Sequence, residues 1–244
     1  MKDKIKIGVL ITGILTAMSF SSFAEGWDIS SGSWRWIDDL GQIATNTWKS
    51  ANGSWFYLDS NGSITKNKLI VEETADGTNS YYVDGNGVLL RDSWKAVAID
   101  PSERKNYEAE YWWFYFGQDG KAYKSVGTLT SEQIKTIEGK QYAFDKNGHM
   151  LYGWINIYTV KQQDYDNRAW EDSDYYFGTW DAGHAREGWQ QLKVCVDDDG
   201  TTKDYWFYFD KYGKKAKSER RKIDNYNYYF EADGHLAKSW AATS

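Results

Sequence analysis

The chain has 244 residues, of which 41 % are hydrophobic, 26 % charged and 18 % aromatic, and its net charge is −6. So much Trp and Tyr can bury a large area per residue, which excludes a disordered chain, and an acidic chain without basic clusters is not expected to bind nucleic acid. A lone cysteine, Cys195, and a lone proline, Pro101, exclude a disulfide framework, a cysteine-based metal site and a Leu-Pro-x-Thr-Gly sorting signal.

In chain order, Lys2, Lys4 and Lys6 precede an apolar run from Ile7 to Phe20, and Ser22-Phe23-Ala24 offers the small residues that a signal peptidase reads. Residues 1–24 are therefore expected to be a signal peptide. The run is shorter than the roughly twenty residues that span a bilayer. The protein is then secreted, does not span the membrane, and keeps residues 25–244 as its mature part.

One unit repeats through that part. It has a Gly-Trp or Ser-Trp start, a turn, an aromatic strand, then Asp-x-x-Gly and an apolar residue. It ends at Gly41, Gly62, Gly87, Gly120, Gly148, Gly183, Gly213 and Gly234, which makes about eight copies. The spacing is uneven because insertions fall at one place, Ile99 to Glu110 and Tyr158 to Ser173, as loops do on one side of a stacked array. Each unit reads as a β-hairpin, with Asn52-Gly53, Asp76-Gly77 and Asp199-Gly200 as turn dipeptides. Isolated hairpins are marginal in water, so the expected fold is all-β, a solenoid of stacked β-hairpin repeats.

Parity places the aromatic residues. The starting Trp and the first strand Trp are separated by odd numbers in Trp27/Trp34, Trp48/Trp55, Trp94/Trp113 and Trp189/Trp206, so both point to one face of their hairpin. The middle aromatic of the strand points to the other face and meets the Trp pair of the preceding hairpin. The sets are Trp48, Trp55 and Tyr81; Trp94, Trp113 and Tyr142; Trp189, Trp206 and Tyr228; and a weaker Trp27, Trp34 and Phe56. Three aromatic walls around a gap can be core packing or a binding cage. Trp is the best ring for a quaternary ammonium and also stacks on sugars.

The stretches Gly26-Trp27, Gly32-Ser33-Trp34, Thr47-Trp48, Gly53-Ser54-Trp55-Phe56-Tyr57-Leu58-Asp59-Ser60-Asn61-Gly62, Gly188-Trp189 and Trp206-Phe207-Tyr208-Phe209-Asp210-Lys211-Tyr212-Gly213 resemble the choline-binding, or cell-wall-binding, repeats of Gram-positive surface proteins. Related repeats occur in glucan-binding proteins and clostridial toxin tails. The resemblance implies choline of teichoic acid held between two Trp of one hairpin and an aromatic of the next, at the same triads. It departs at Leu69 and Ser80, at Asp174 beside Trp154, and at Lys215 in the apolar slot after Gly213, where the units read as spacers without a ligand. The insertions leave a glucan or other glycan open as the ligand, or a host partner recognised by these loops.

Signals for catalysis are weak. His149, His184 and His235 share the slot after the turn glycine, where other units hold Ser63, Val88 or Lys121, so they read as exposed turn residues. Asp197-Asp198-Asp199 lacks the spacing of a calcium loop. A non-enzymatic, cofactor-free module that holds choline-substituted teichoic acid or a related wall glycan is the expectation. Lys238-Ser239-Trp240 copies the start of a unit and then stops, which suggests Trp240 as a lid on the final hairpin.

Overall fold

A computed structural model describes residues 25–29, 32–74, 77–158 and 168–237; the expected signal peptide and the Trp240 lid lie outside the described residues. The described chain is a succession of eight two-stranded antiparallel sheets. They pair β1 (Gly26–Asp28) with β2 (Arg35–Ile37), β3 (Thr47–Ala51) with β4 (Ser54–Leu58), β5 (Lys68–Thr74) with β6 (Gly77–Val83), and β7 (Ser93–Ala98) with β8 (Tyr111–Phe116). The rest are β9 (Lys135–Ile137) with β10 (Lys140–Tyr142), β11 (Trp154–Ile155) with β12 (Tyr175–Tyr176), β13 (Gly188–Cys195) with β14 (Thr202–Phe209), and β15 (Glu219–Ile223) with β16 (Tyr226–Phe230). Two single-turn helices, α1 (Pro101–Arg104) and α2 (Ala169–Asp172), sit in the two insertions. The fold is all-β and hairpin-built, as the sequence leads one to expect.

Local chemistry explains the hairpins. In β3–β4 the pair Ala51↔Ser54 leaves Asn52 and Gly53 as a two-residue turn, with φ of 50° and 79°. Both residues need the left-handed region, which Asn and Gly tolerate best. The other two turn dipeptides sit differently. Gly77 already pairs with Thr74 as a strand residue, and Asp76 lies outside the described residues. Between β13 and β14 the pair Val196 and Thr201 closes a four-residue loop that Asp199-Gly200 ends. Two tight turns went unread: Glu138-Gly139 and Asp224-Asn225, all with positive φ.

The Asp-x-x-Gly element is a side-chain-closed turn. Asp59 Oδ1 accepts from the amides of Asn61 and Ser63 at 2.8 and 2.9 Å, and Asp145 and Asp210 repeat the pattern.

The chain divides into two compact units, residues 1–66 with 85–88, and residues 67–84 with 89–244. The first holds β1–β4 around Trp27, Phe56 and Leu58. The second holds the remaining hairpins, and a recurring backbone bond stacks them. The residue two positions after a turn glycine donates its N–H to a carbonyl on the preceding hairpin: Ala122 to Ser80, Met150 to Trp113, Ala185 to Gln141, Lys215 to Asp174 and Leu236 to Trp206, at 2.7–2.8 Å. Phe116, Phe144, Phe209 and Phe230, at 0–1 % exposure, line the core behind these contacts.

The glycines that close the repeat units are crowded, whereas those at the hairpin tips are not. At Gly62, with φ +75°, an added Cβ would lie 2.2 Å from Ile43 Cγ2, whereas at Gly53, with φ +79°, nothing lies within 4 Å. Gly53→Ala should therefore cost only the left-handed strain, about 1 kcal/mol, and Gly62→Ala that strain plus a steric clash, roughly 2–4 kcal/mol in total. Thermal melting of the two variants checks this; equal losses would show that packing against Ile43 is not the constraint.

Candidate functional site: aromatic cages between hairpins

Two of the four aromatic sets lie wholly within the second unit, and the structure brings both together. Trp94 pairs with Tyr115 and Trp113 with Ala96, so the two indoles share a face of β7–β8 despite the intervening insertion. Trp94 stands 6.4 Å from Trp113 at 79° and 4.8 Å from Tyr142 at 63°, with Tyr115 at 5.2 Å. In the last hairpins Trp189 lies 6.3 Å from Trp206 at 81°, 4.7 Å from Tyr228 at 68°, and 5.3 Å from Tyr208. The two sites agree to 0.1 Å in each centroid distance. In each, one indole is the hub and the others stand at steep angles to it in edge-to-face contact, so that each set forms a box of aromatic walls.

The walls are half-buried, and Trp206 keeps 44 % exposure. An apolar residue from the following hairpin packs into each cluster: Met150 with Trp94, Trp113 and Tyr142, and Leu236 with Trp189 and Tyr228. These are the residues whose amides bond to Trp113 and Trp206. The Trp113 indole N–H is buried without a partner. Carboxylates surround the first box: the Tyr142 hydroxyl is held above its ordinary pKa by burial and then by Glu138, and that of Tyr115 by burial and then by Asp92. Asp224 takes in β15–β16 the turn position that Glu138 takes in β9–β10.

The other two sets differ. Trp27 is only 8 % exposed, meets Phe56 at 5.6 Å, and spends its other contact on Trp36, also at 5.6 Å, a partner that the sequence reading missed. Trp34 packs against the same cluster. Trp48 and Trp55 belong to the first unit and Tyr81 to the second; Trp48 contacts Tyr57 at 5.2 Å, and Trp55 is 40 % exposed.

The histidines correct the sequence reading, because none is a plain exposed turn residue. His149 stacks on Trp112 at 4.2 Å and 12°, and His235 on Tyr205 at 4.4 Å and 15°. Trp112 and Tyr205 each precede a cage Trp by one residue, so they line the opposite face of the hairpin. His184 is pushed below its ordinary pKa by burial, and Arg186 lies 2.8 Å from its Nε2. Among the described residues no cluster of three His, Cys, Asp or Glu has metal-binding geometry. Asp197 accepts from Asp199 and Thr201 as a turn residue does.

Each insertion buries part of itself while α1 stays exposed. Ile99 and Ala109 are buried with Tyr152, and Trp170 is 3 % exposed, with its indole N–H donated to the Cys195 carbonyl at 2.7 Å. The unit read as a spacer at Trp154 and Asp174 is also occupied. Lys215, 3 % exposed, places its ammonium 5.1 Å above the Trp154 ring and 5.7 Å from Phe207. The ammonium donates to the carbonyls of Trp170 and, at 2.7 Å, of Asp233.

These features define a class, an aromatic hairpin-repeat protein with a recurrent three-walled box between successive hairpins. Residues 46–64 match the family model of a cell wall binding repeat. No curated protein sequence matches the chain. Among solved structures it is similar to the modular autolysin LytC from Streptococcus pneumoniae, with TM-score 0.49 and 22 % identity over 88 % of this chain and 38 % of that one. It is likewise similar to choline binding protein F from the same organism, with TM-score 0.49 and 20 % identity over 88 % of this chain and 58 % of that one. The choline-binding domain of CbpL, also from S. pneumoniae, gives TM-score 0.35 and 23 % identity over 80 % of this chain and 87 % of that one. The chain thus spans 38 % and 58 % of the first two proteins.

Two outcomes test this geometry. Trp189 is the hub, so Trp189→Ala should cost about 3–5 kcal/mol, whereas the outer wall Trp206→Ala should cost about 1 kcal/mol or less. Equal melting temperatures for the two variants would refute the hub assignment. The second concerns pH. Burial, then Lys217, brings the Lys215 ammonium from 10.5 down to about 7, against the opposing pull of Asp233, Asp174 and Asp172. Between about pH 7 and 10.5 the unfolded chain then holds a proton that the folded chain has released, so this residue makes stability rise with pH in that window. Below pH 7 the burial cost is fully present. Melting between pH 7 and 9 should show a rise of about 1 kcal/mol per pH unit that Lys215→Met abolishes.

Proposed function

We propose that this is a secreted, non-catalytic binding module that attaches non-covalently to choline-bearing teichoic acid of a cell wall through the cages between its hairpins. The observation that carries the reading is the near-identical pair of boxes at Trp94/Trp113/Tyr142 and Trp189/Trp206/Tyr228. A trimethylammonium group has no N–H to donate, so it is held by ring faces and counter-charge, not by hydrogen bonds. Steep walls let several rings turn faces toward one cation, and a desolvated cation–π contact is worth about 2 kcal/mol. Glu138 and Asp92 add negative potential at the first box. The match of residues 46–64 to the cell wall binding repeat supports the same ligand class.

Residues 1–24 carry the expected export signal, and attachment to the wall is through the repeats. Among the described residues no helix is long and apolar enough to cross a membrane. The repeats occupy the described chain, and among the described residues no group of three His, Cys, Asp or Glu is placed to hold a metal ion. Two cages on one chain and many cholines on one polymer convert weak single contacts into avidity, with an effective concentration near millimolar for a short flexible tether.

Titration with choline should change the tryptophan emission saturably and raise the melting temperature, by about 2.7 kcal/mol of stabilisation at one hundred times Kd. Trp113→Ala and Trp206→Ala should each remove one binding equivalent while the hairpins stay folded. A response to glucan oligomers and none to choline would transfer the cages to a glycan ligand, and unchanged choline stoichiometry in both variants would sink the assignment of these residues.

A further inference from the structure

We propose that the ring faces of Trp154 and Phe207 form an ammonium site, and that the chain fills it itself with the side chain of Lys215. The inference goes beyond the choline reading and does not depend on it.

The first observation is positional equivalence. By strand register Trp154, which pairs with Tyr176, corresponds to Trp94, which pairs with Tyr115, and to Trp189, which pairs with Tyr208. Phe207 stands relative to Trp154 as Tyr142 stands to Trp94 and Tyr228 to Trp189, with ring centroids at 5.2, 4.8 and 4.7 Å. The hub and the facing aromatic of a cage are therefore both present. What is missing is the outer wall, because Asp174 replaces the second Trp.

The second observation is the occupant. In the two complete triads the residue whose amide bonds to the outer-wall carbonyl is Met150 or Leu236, an apolar side chain that packs into the cluster. Beside Trp154 that residue is Lys215, whose amide donates to the Asp174 carbonyl at 2.7 Å. Its ammonium lies over both ring faces, and the carbonyls of Trp170 and Asp233 accept its protons. A primary ammonium needs such acceptors where a trimethylammonium does not, and the chain supplies them from α2 and from the turn after β16. Trp170, packed against Phe207 at 5.9 Å, closes the site from the insertion side.

Burial alone would argue for the neutral amine, and the ammonium is lowered to about pH 7. Below that pH the site holds a cation, and its specificity is for a primary alkylammonium with a narrow stem, not for choline.

The experiment uses the full chain at pH 6. Lys215→Ala removes the side chain beyond Cβ, and n-propylammonium has the shape of what is lost. The variant should melt lower than wild type and recover saturably with n-propylammonium, while n-propanol, sodium chloride and choline at matched concentration do not restore it. Equal recovery with n-propanol, or none with n-propylammonium, would overturn the proposal and leave Lys215 as a lysine tolerated in an apolar slot. If Lys215→Ala does not fold, the wild-type protein decides. The Lys215 ε-methylene protons should resonate well upfield of exposed lysines from the ring currents of Trp154 and Phe207, and stay unshifted at saturating choline. A position among the exposed lysines, or displacement by choline, refutes occupation in cis.

Discussion

One backbone bond organises the second unit. Each hairpin after β5–β6 sends the N–H two residues past its turn glycine to a carbonyl on the second arm of the hairpin before it, and in the two complete triads that carbonyl belongs to the outer-wall Trp. The bond fixes the distance between consecutive hairpins and the backbone of the cage at once. Because a β-strand alternates its faces, fixing that backbone fixes which side chains look into the gap. The same residue lodges its side chain against the next turn glycine, as Met150 does at Gly183 and Lys215 at Gly234, so a change in one hairpin is felt by both neighbours. A stack of hairpins that would each be marginal in water thereby becomes cooperative.

The cages combine two demands that usually conflict. A core wants aromatic rings fully buried, and a cation site wants ring faces that water can leave. The structure divides the labour within each triad. Trp94 and Trp189 touch four rings each and hold the hairpins together, whereas Trp206 contributes a wall and remains 44 % exposed. Trp27 shows the other limit: with Trp36 and Phe56 both at 5.6 Å it has become core. Whether an aromatic is buried packing or an exposed wall is therefore decided by its place in the triad more than by its residue type.

Much of this was legible beforehand because period-two alternation is arithmetic. Odd separations put Trp94 and Trp113 on one face even across a long insertion, because Trp113 lies two residues from Tyr115, the cross-strand partner of Trp94. The turns were read less well: Gly77 is a strand residue, and Glu138-Gly139 forms a tight turn that a search for Asn-Gly and Asp-Gly does not find. The histidines were misread because a variable slot was taken for an exposed one. His149 and His235 stack where an aromatic, Trp112 or Tyr205, stands one residue before the cage Trp, a cross-hairpin pairing that no local pattern reveals. Lys215 was visible as an oddity in an apolar slot, but its acceptors come from Trp170 and Asp233, far away in sequence.

Hairpins that lack a Trp pair are not defects in the array. β5–β6 carries Leu69 and Ser80, and Ser80, 5 % exposed, still accepts the stacking bond from Ala122. Gln141 and Asp174 do the same for Ala185 and Lys215. Stacking uses only the backbone at this position, so its side chain is free to vary without loss of the array. A repeat can thus gain or lose an outer wall by a single substitution while its neighbours keep their spacing. On the proposed reading, binding capacity and stability are in this way separately adjustable, the first through the side chain at the outer-wall position and the second through the hub, the glycine and the bond that joins them.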